Sequence, residues 1–128
     1  MTTRILIALA FSLAACGGDD SNTTPDAAPT TDAPAAGAVM VTCPATPDKT
    51  VTTSEASNTY MPMMTTMNQG QVVRFMTSAT HNVVALNATS DPALVVGFNQ
   101  ERCFMMTKTG TFPFKCGPHG FTGTIVVN

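Results

Sequence analysis

Cys116 and His119 stand three residues apart in "FKCGPHGFTG" (114–123), between glycines and aromatics. Their spacing suits either a metal ligand pair or an activated nucleophile. A third candidate, His81 in "ATHNVVAL", lies 35 residues upstream of Cys116, and the chain has no other histidine. Turn residues flank both histidines, and neither sits in an apolar run. Two imidazoles and one thiolate in a trigonal plane suit copper, because thiolate stabilises Cu(I) and imidazole serves both oxidation states. Zinc accepts the same donors, but a structural zinc site wants four of them. A Cys–His hydrolase needs a third polar group to orient the pair, and an oxyanion hole. The loop around Cys116 offers no Asp or Asn for that role. Haem c attachment requires C-x-x-C-H, and this loop has a single cysteine.

His81 can meet the other two only if the intervening chain folds back, so the surrounding elements decide the matter. They read as strands. Short apolar runs occur at "VMVTC" (39–43), "MMTTM" (63–67), "QVVRFMT" (71–77), "HNVVAL" (81–86), "RCFMMT" (102–107), "TFPFKC" (111–116) and "TGTIVVN" (122–128). "NQG" marks one turn, and Lys108–Gly110 another. Residues 87–100 form a long connection. Short strands, frequent turns and no helical period predict an all-β sandwich or barrel. The pattern predicts that His81 begins a strand. It also predicts that the strands at 102–107 and 111–116 pair as a hairpin, with Cys116 at its end.

The domain occupies about residues 39–128. Ahead of it, residues 1–15 read as an export signal, with Arg4 followed by a short apolar run from Ile5 to Leu13. That run ends in "LAAC", which resembles the lipobox of bacterial lipoproteins and implies cleavage before Cys16 and acylation of its thiol and amino group. Residues 16–38 are small, polar, Pro-rich and acidic, and cannot bury a core, so they read as a disordered tether. The expected location is the bacterial cell envelope, lipid-anchored and facing the periplasm. Four of the eight acidic residues (Asp19, Asp20, Asp26 and Asp32) fall in this tether, which leaves the domain close to neutral. No basic stripe exists for nucleic acid. The expected partner of the acylated end is a membrane, and the expected state is monomeric.

Export also governs the cysteines. Acylation would consume Cys16. If Cys116 binds metal, Cys43 and Cys103 remain and can pair in an oxidising compartment. The alternative is that one of them pairs with Cys116, which would abolish the metal site.

The fuller pattern resembles the cupredoxins of the plastocyanin and amicyanin type. "NQGQVVRFMTSATHNVV" is similar to their G-x-x-V-x-F strand followed by His-Asn. "GTFPFKCGPH" is similar to their G-T-[YF]-x-[YF]-x-C-x-P-H segment, and "GFTGTIVVN" to their closing strand. The likeness is convincing over about 58–128 and loose over 39–57. It implies a Greek-key β-sandwich and one type 1 copper ion. His81, Cys116 and His119 would be its equatorial ligands, and Asn82 would brace the ligand loop. It further implies an electron carrier, not an enzyme, whose electrons pass through His119 to partners such as cytochromes or membrane oxidoreductases. One position departs from the pattern. Phe121 falls where the family has an axial methionine, and phenylalanine has no lone pair to offer. The carbonyls of Ala79 or Thr80, Thr122 Oγ or the thioether of Met76 are the substitutes on offer.

The chain is rich in methionine, with nine. Met61, Met64 and Met67 form M-x-x-M-x-x-M, with Met63 between. Thioethers bind Cu(I), which supports a second reading as a protein for copper storage or delivery. In a strand, however, side chains at i and i+3 point to opposite faces. The expectation is that these methionines, like Met105 and Met106, fill the core.

Overall fold

The computed structural model describes residues 36–128. The segments read as signal peptide, acylated Cys16 and most of the tether lie outside these residues. The described chain forms strands and no helix. In order they are β1 (Ala38–Val41), β2 (Lys49–Ser54), β3 (Ser57–Met61), β4 (Met64–Met67), β5 (Val72–Met76), β6 (Val84–Ala85), β7 (Glu101–Met106), β8 (Gly110–Lys115) and β9 (Thr122–Val127). They build two sheets, ordered β1-β7-β5-β2-β3 and β4-β9-β8-β6. β2 and β5 are parallel, as are β4 and β9, and the remaining pairs are antiparallel. The expected sandwich is thus observed.

Alternation sets the faces. In β5, Val73 and Phe75 are buried while Met76 is exposed. In β9, Gly123, Ile125 and Val127 point inward. Phe75 meets Phe104 edge-on with ring centroids 6.0 Å apart, and Phe114 of the other sheet at 5.3 Å. Each such buried ring contributes roughly 2–3 kcal/mol through the area removed from water. Gly123 is required by this packing. A Cβ there would stand 2.5 Å from the Phe114 ring and 2.9 Å from that of Tyr60.

The expected hairpin of 102–107 with 111–116 does not form. β7 lies between β1 and β5, so both of its edges are already taken. The turn at 107–109 instead carries the chain across to the second sheet, where β8 pairs with β6 and β9. β8 instead forms a hairpin with β9, in register from Gly110↔Val127 to Lys115↔Thr122. The strand expected at 81–86 shrinks to Val84–Ala85, with Val83 bridged to Val96. His81 therefore sits in a loop and does not begin a strand.

The methionine expectation is corrected in part. Met67 and Met106 are core residues, 3% and 0% exposed. Met61, Met63 and Met64 are 55%, 61% and 65% exposed. Tyr60 takes the inward position on β3, which turns Met61 outward, and Thr65 and Met67 take the inward positions on β4, which turns Met64 outward. Met63 lies where the chain crosses between sheets.

Two links tie the loops to this frame. Cys43 and Cys103 form a disulfide, with Cα atoms 5.0 Å apart. The buried carboxylate of Asp91 accepts the backbone N–H groups of Gly37 and Ala38, the latter at 2.9 Å, and that of Ala93 at 2.9 Å. These bonds pin the chain just ahead of β1, at Gly37.

Candidate metal centre

β5 delivers the chain into the loop that carries His81, and the β8–β9 connection carries Cys116 and His119. Hydrogen bonds fix the first loop. Thr77 Oγ1 donates to the Gly97 carbonyl at 2.6 Å, and Ser78 N donates to Thr53 Oγ1 at 2.8 Å. Val83 exchanges backbone hydrogen bonds with Val96 at 2.8 and 3.0 Å. The second loop closes on itself. Gly120 N donates to the Cys116 carbonyl, and Cys116 N to the Phe121 carbonyl, both at 2.9 Å. Gly120 has φ of +71°, in the left-handed region that glycine enters without strain.

The three expected ligands come together. His81 Nδ1 is 3.1 Å from His119 Nδ1, and Cys116 Sγ is 3.7 Å from the former and 3.6 Å from the latter. His81 and Cys116 are buried and His119 is exposed. Cys116 is a free thiol, so the pairing that would have abolished the site is not made. The donor triangle has the size a metal requires. Bonds of about 2.0–2.1 Å to nitrogen and about 2.3 Å to sulfur reach across the two sulfur–nitrogen sides of 3.6 and 3.7 Å at angles of about 110–120°, and across the shorter nitrogen–nitrogen side of 3.1 Å at about 100°. Two imidazole nitrogens 3.1 Å apart with a sulfur beside both also make a set that a shared cation satisfies at once.

Asn82 stands where the resemblance put it. Its Oδ1 accepts the Gly117 N–H at 2.7 Å and ties the two ligand loops together. Of the substitutes for an axial ligand, Met76 is on the outer face of its sheet, opposite Thr52 and Glu101 and 40% exposed. Its neighbour Phe75 takes the inward position. Ala79 and Thr80 form an exposed turn before His81, and Thr122 is exposed at the start of β9. Phe121 turns its ring toward the site. It lies 4.9 Å from the His81 ring at 82°, and 6.4 Å from the His119 ring at 19°.

Sequence reasoning missed Tyr60, the chain's one tyrosine. Its hydroxyl donates to the Asn82 carbonyl at 2.6 Å, and its ring packs on Phe114 at 4.7 Å and Phe121 at 4.8 Å. Burial, and then the nearby Cys116 sulfur, raise its pKa above the ordinary phenol value. The available signal was a single large aromatic among small polar residues in "SNTYM", at a spacing that turns it inward.

Comparison with solved structures places the architecture. Amicyanin from Paracoccus versutus aligns over 73% of this chain and 99% of its own, with a TM-score of 0.57 and 17% identity. The chain has a cupredoxin fold. Native pseudoazurin from Hyphomicrobium denitrificans aligns over 62% of this chain and 75% of its own, with a TM-score of 0.52 and 24% identity. A reduced Cu(I) form of an amicyanin variant aligns with a TM-score of 0.57 and 21% identity, over 72% of this chain and 99% of its own. No protein-family profile and no curated protein sequence matches the chain. In this cupredoxin fold the His-Cys-His triangle lies at one end of the sandwich, with His119 at the solvent edge.

Proposed function

We propose that the domain is a type 1 copper protein that carries single electrons between redox partners of the cell envelope. The observation that carries this reading is the triangle of His81 Nδ1, Cys116 Sγ and His119 Nδ1, with sides of 3.1, 3.7 and 3.6 Å. One thiolate and two imidazoles are the donor set for copper. Copper held there supplies one-electron chemistry by alternating between Cu(I) and Cu(II).

The protein's own part is to keep the donors still and to offer one way in. The bond from Gly117 to Asn82 and the closed turn from Cys116 to Phe121 hold both ligand loops in place. Buried Cys116 and His81 are shielded, so exposed His119 is the ligand at which a partner would dock. Gly117, Pro118 and Gly120 surround it without a charge, and the described domain is near neutral. Docking should therefore be apolar, with weak salt dependence. Cys16, in its lipobox-like setting, would be acylated and hold the protein at a membrane facing the periplasm.

The test is a Cu(II) titration of the purified protein followed by its visible spectrum. An intense thiolate-to-copper band, bleached by a reductant and restored by an oxidant, is expected. A protein that stays colourless under saturating copper would sink the reading. Anchoring is tested separately: Cys16→Ser should move the protein from the membrane fraction to the soluble one.

A further inference from the structure

We infer that Met61 and Met76 form a second, exposed site for Cu(I), whose two thioethers grip the ion across Thr52 on the outer face of the five-stranded sheet. This site shares no residue with the triangle of His81, Cys116 and His119. Only its use as a source of copper for that triangle rests on the reading of the triangle as a copper centre.

Register is the first argument. Thr52 of β2 stands opposite Met61 of β3 on one side and opposite Met76 of β5 on the other. Residues in register share a face. The inward neighbours Val51, Tyr60 and Phe75 are buried, so this row points outward, and both methionines are exposed. Strands about 4.8 Å apart put the two methionine Cα atoms about 9.6 Å from each other. Bonds of about 2.3 Å from each sulfur to a shared ion require sulfurs at most about 4.6 Å apart. Each sulfur need then lean inward by only about 2.5 Å over the small Thr52 side chain. Three rotatable bonds give methionine that freedom.

Side-chain chemistry is the second argument. The other outward positions of β2 and β3 include Thr50, Thr52 and Thr59, and threonine suits a half-exposed strand. Methionine gains little burial at the two flanking positions, so its sulfur is what sets it apart there. Thioethers select Cu(I) over harder ions. The row continues into Glu101, in register with Met76, and Arg74 lies two residues before Met76 on the same face. These two charges face each other at 3.8 Å. The one carboxylate that would draw a divalent ion to the row is thus already offset. Met64 stands on the other sheet, in register with Thr124, and Met67 is buried, so the M-x-x-M-x-x-M run is not itself the site.

Placement gives the site its use. β5 ends at Met76 and runs on into the loop that carries His81, so the row lies on the flank nearest the triangle. The row is open to solvent, whereas His81 and Cys116 are buried. Neutral thioethers hold Cu(I) less tightly than a thiolate with two imidazoles, so copper captured at the row passes downhill to the triangle. The step is a ligand exchange. Two sulfur–copper bonds at the methionines break as one sulfur–copper and two nitrogen–copper bonds form. The ion stays Cu(I) throughout, and the Cys116 thiol releases its proton to solvent as it binds.

The experiment follows the methionine methyl signals of the purified protein by NMR during titration with buffered Cu(I). Wild type should bind two equivalents, and the weaker one should shift the Met61 and Met76 methyls together. Met61→Leu is close to volume-conserving. It should weaken the second binding by at least about a hundredfold, because two donors on one face act as a chelate, and should leave the Met76 methyl unmoved. Its thiolate-to-copper band under Cu(II) should match that of wild type, which shows that the variant is folded. Zn(II) should leave both methyls in place. A Met76 shift that survives Met61→Leu, shifts with Zn(II) as large as with Cu(I), or no shift at Met61 and Met76 would overturn the inference while leaving the electron-carrier reading intact. Uptake of Cu(I) at the row alone would end the electron-carrier reading and leave this site standing.

Discussion

The Tyr60 hydroxyl donates to the main-chain carbonyl of Asn82 at 2.6 Å, and Asn82 Oδ1 in turn receives the Gly117 N–H at 2.7 Å. One side chain on β3 thereby holds the backbone beside His81, and through Asn82 the loop that carries Cys116 and His119. Replacing Tyr60 with Phe keeps the ring packing and leaves the Asn82 carbonyl without its donor. The expected loss is about 1–2 kcal/mol of unfolding free energy, measured by denaturant titration. Faster exchange of the Gly117 amide should accompany it, and an unchanged Gly117 would show that the link carries nothing.

The same phenol makes stability depend on alkaline pH. Its folded pKa is raised, first by burial and then by the Cys116 sulfur. In the unfolded chain it ionises near 10. The unfolded state therefore releases this proton first, and the stability it supplies is full below about pH 10 and declines above it. Wild type should lose stability more steeply than Tyr60→Phe as pH rises beyond that point. Parallel curves would refute the assignment.

Asn82→Ala removes the side chain that joins the ligand loops. Gly117 is exposed, so water can replace the lost acceptor and the fold should lose at most about 1 kcal/mol. Metal affinity should fall by about tenfold or more, as for other groups that orient ligands. Competition against a copper chelator measures it, and wild-type affinity would contradict the role.

Loss of the Cys43–Cys103 bridge should do the reverse. It closes a loop with sequence separation of 60. By the chain-entropy estimate its removal costs about 4 kcal/mol. A Cys43→Ser, Cys103→Ser double variant should melt much earlier yet show the wild-type metal spectrum, since neither residue is a ligand. A shifted spectrum would mean that the bridge shapes the site.

Much of the centre was legible in the sequence because its donors are chemically rare here: two histidines and a C-x-x-H with few rivals. The apolar runs of β5 and β9 were legible for the same kind of reason, since Val73, Phe75, Ile125 and Val127, which line their inner faces, stand out among polar neighbours. What failed was pairing. Nothing local to 102–116 says that both edges of β7 are occupied by distant strands, so the nearest partner in sequence was chosen. β2 and β3 escaped notice because Thr and Ser dominate them, and one buried residue each, Val51 and Tyr60, does the packing. The exposed methionines show the opposite limit. Hydrophobic type favoured burial, but Tyr60, Thr65 and Met67 had already filled the inward positions.

β1 starts beside the end of β7, where Ala38 faces Met106, and Gly37 is held there by Asp91. That is the far end of the sandwich from the loop between Lys115 and Thr122. The six residues of β9 span the distance, about 20 Å at strand spacing. The domain is thus built like a plug, with its lead at the rear and its contact at the front. Fixed to an electrode, a bead or a fused neighbour through residue 37, it would leave His119 facing outward. The same attachment through Asn128, also at the rear beside Gln69, would do likewise.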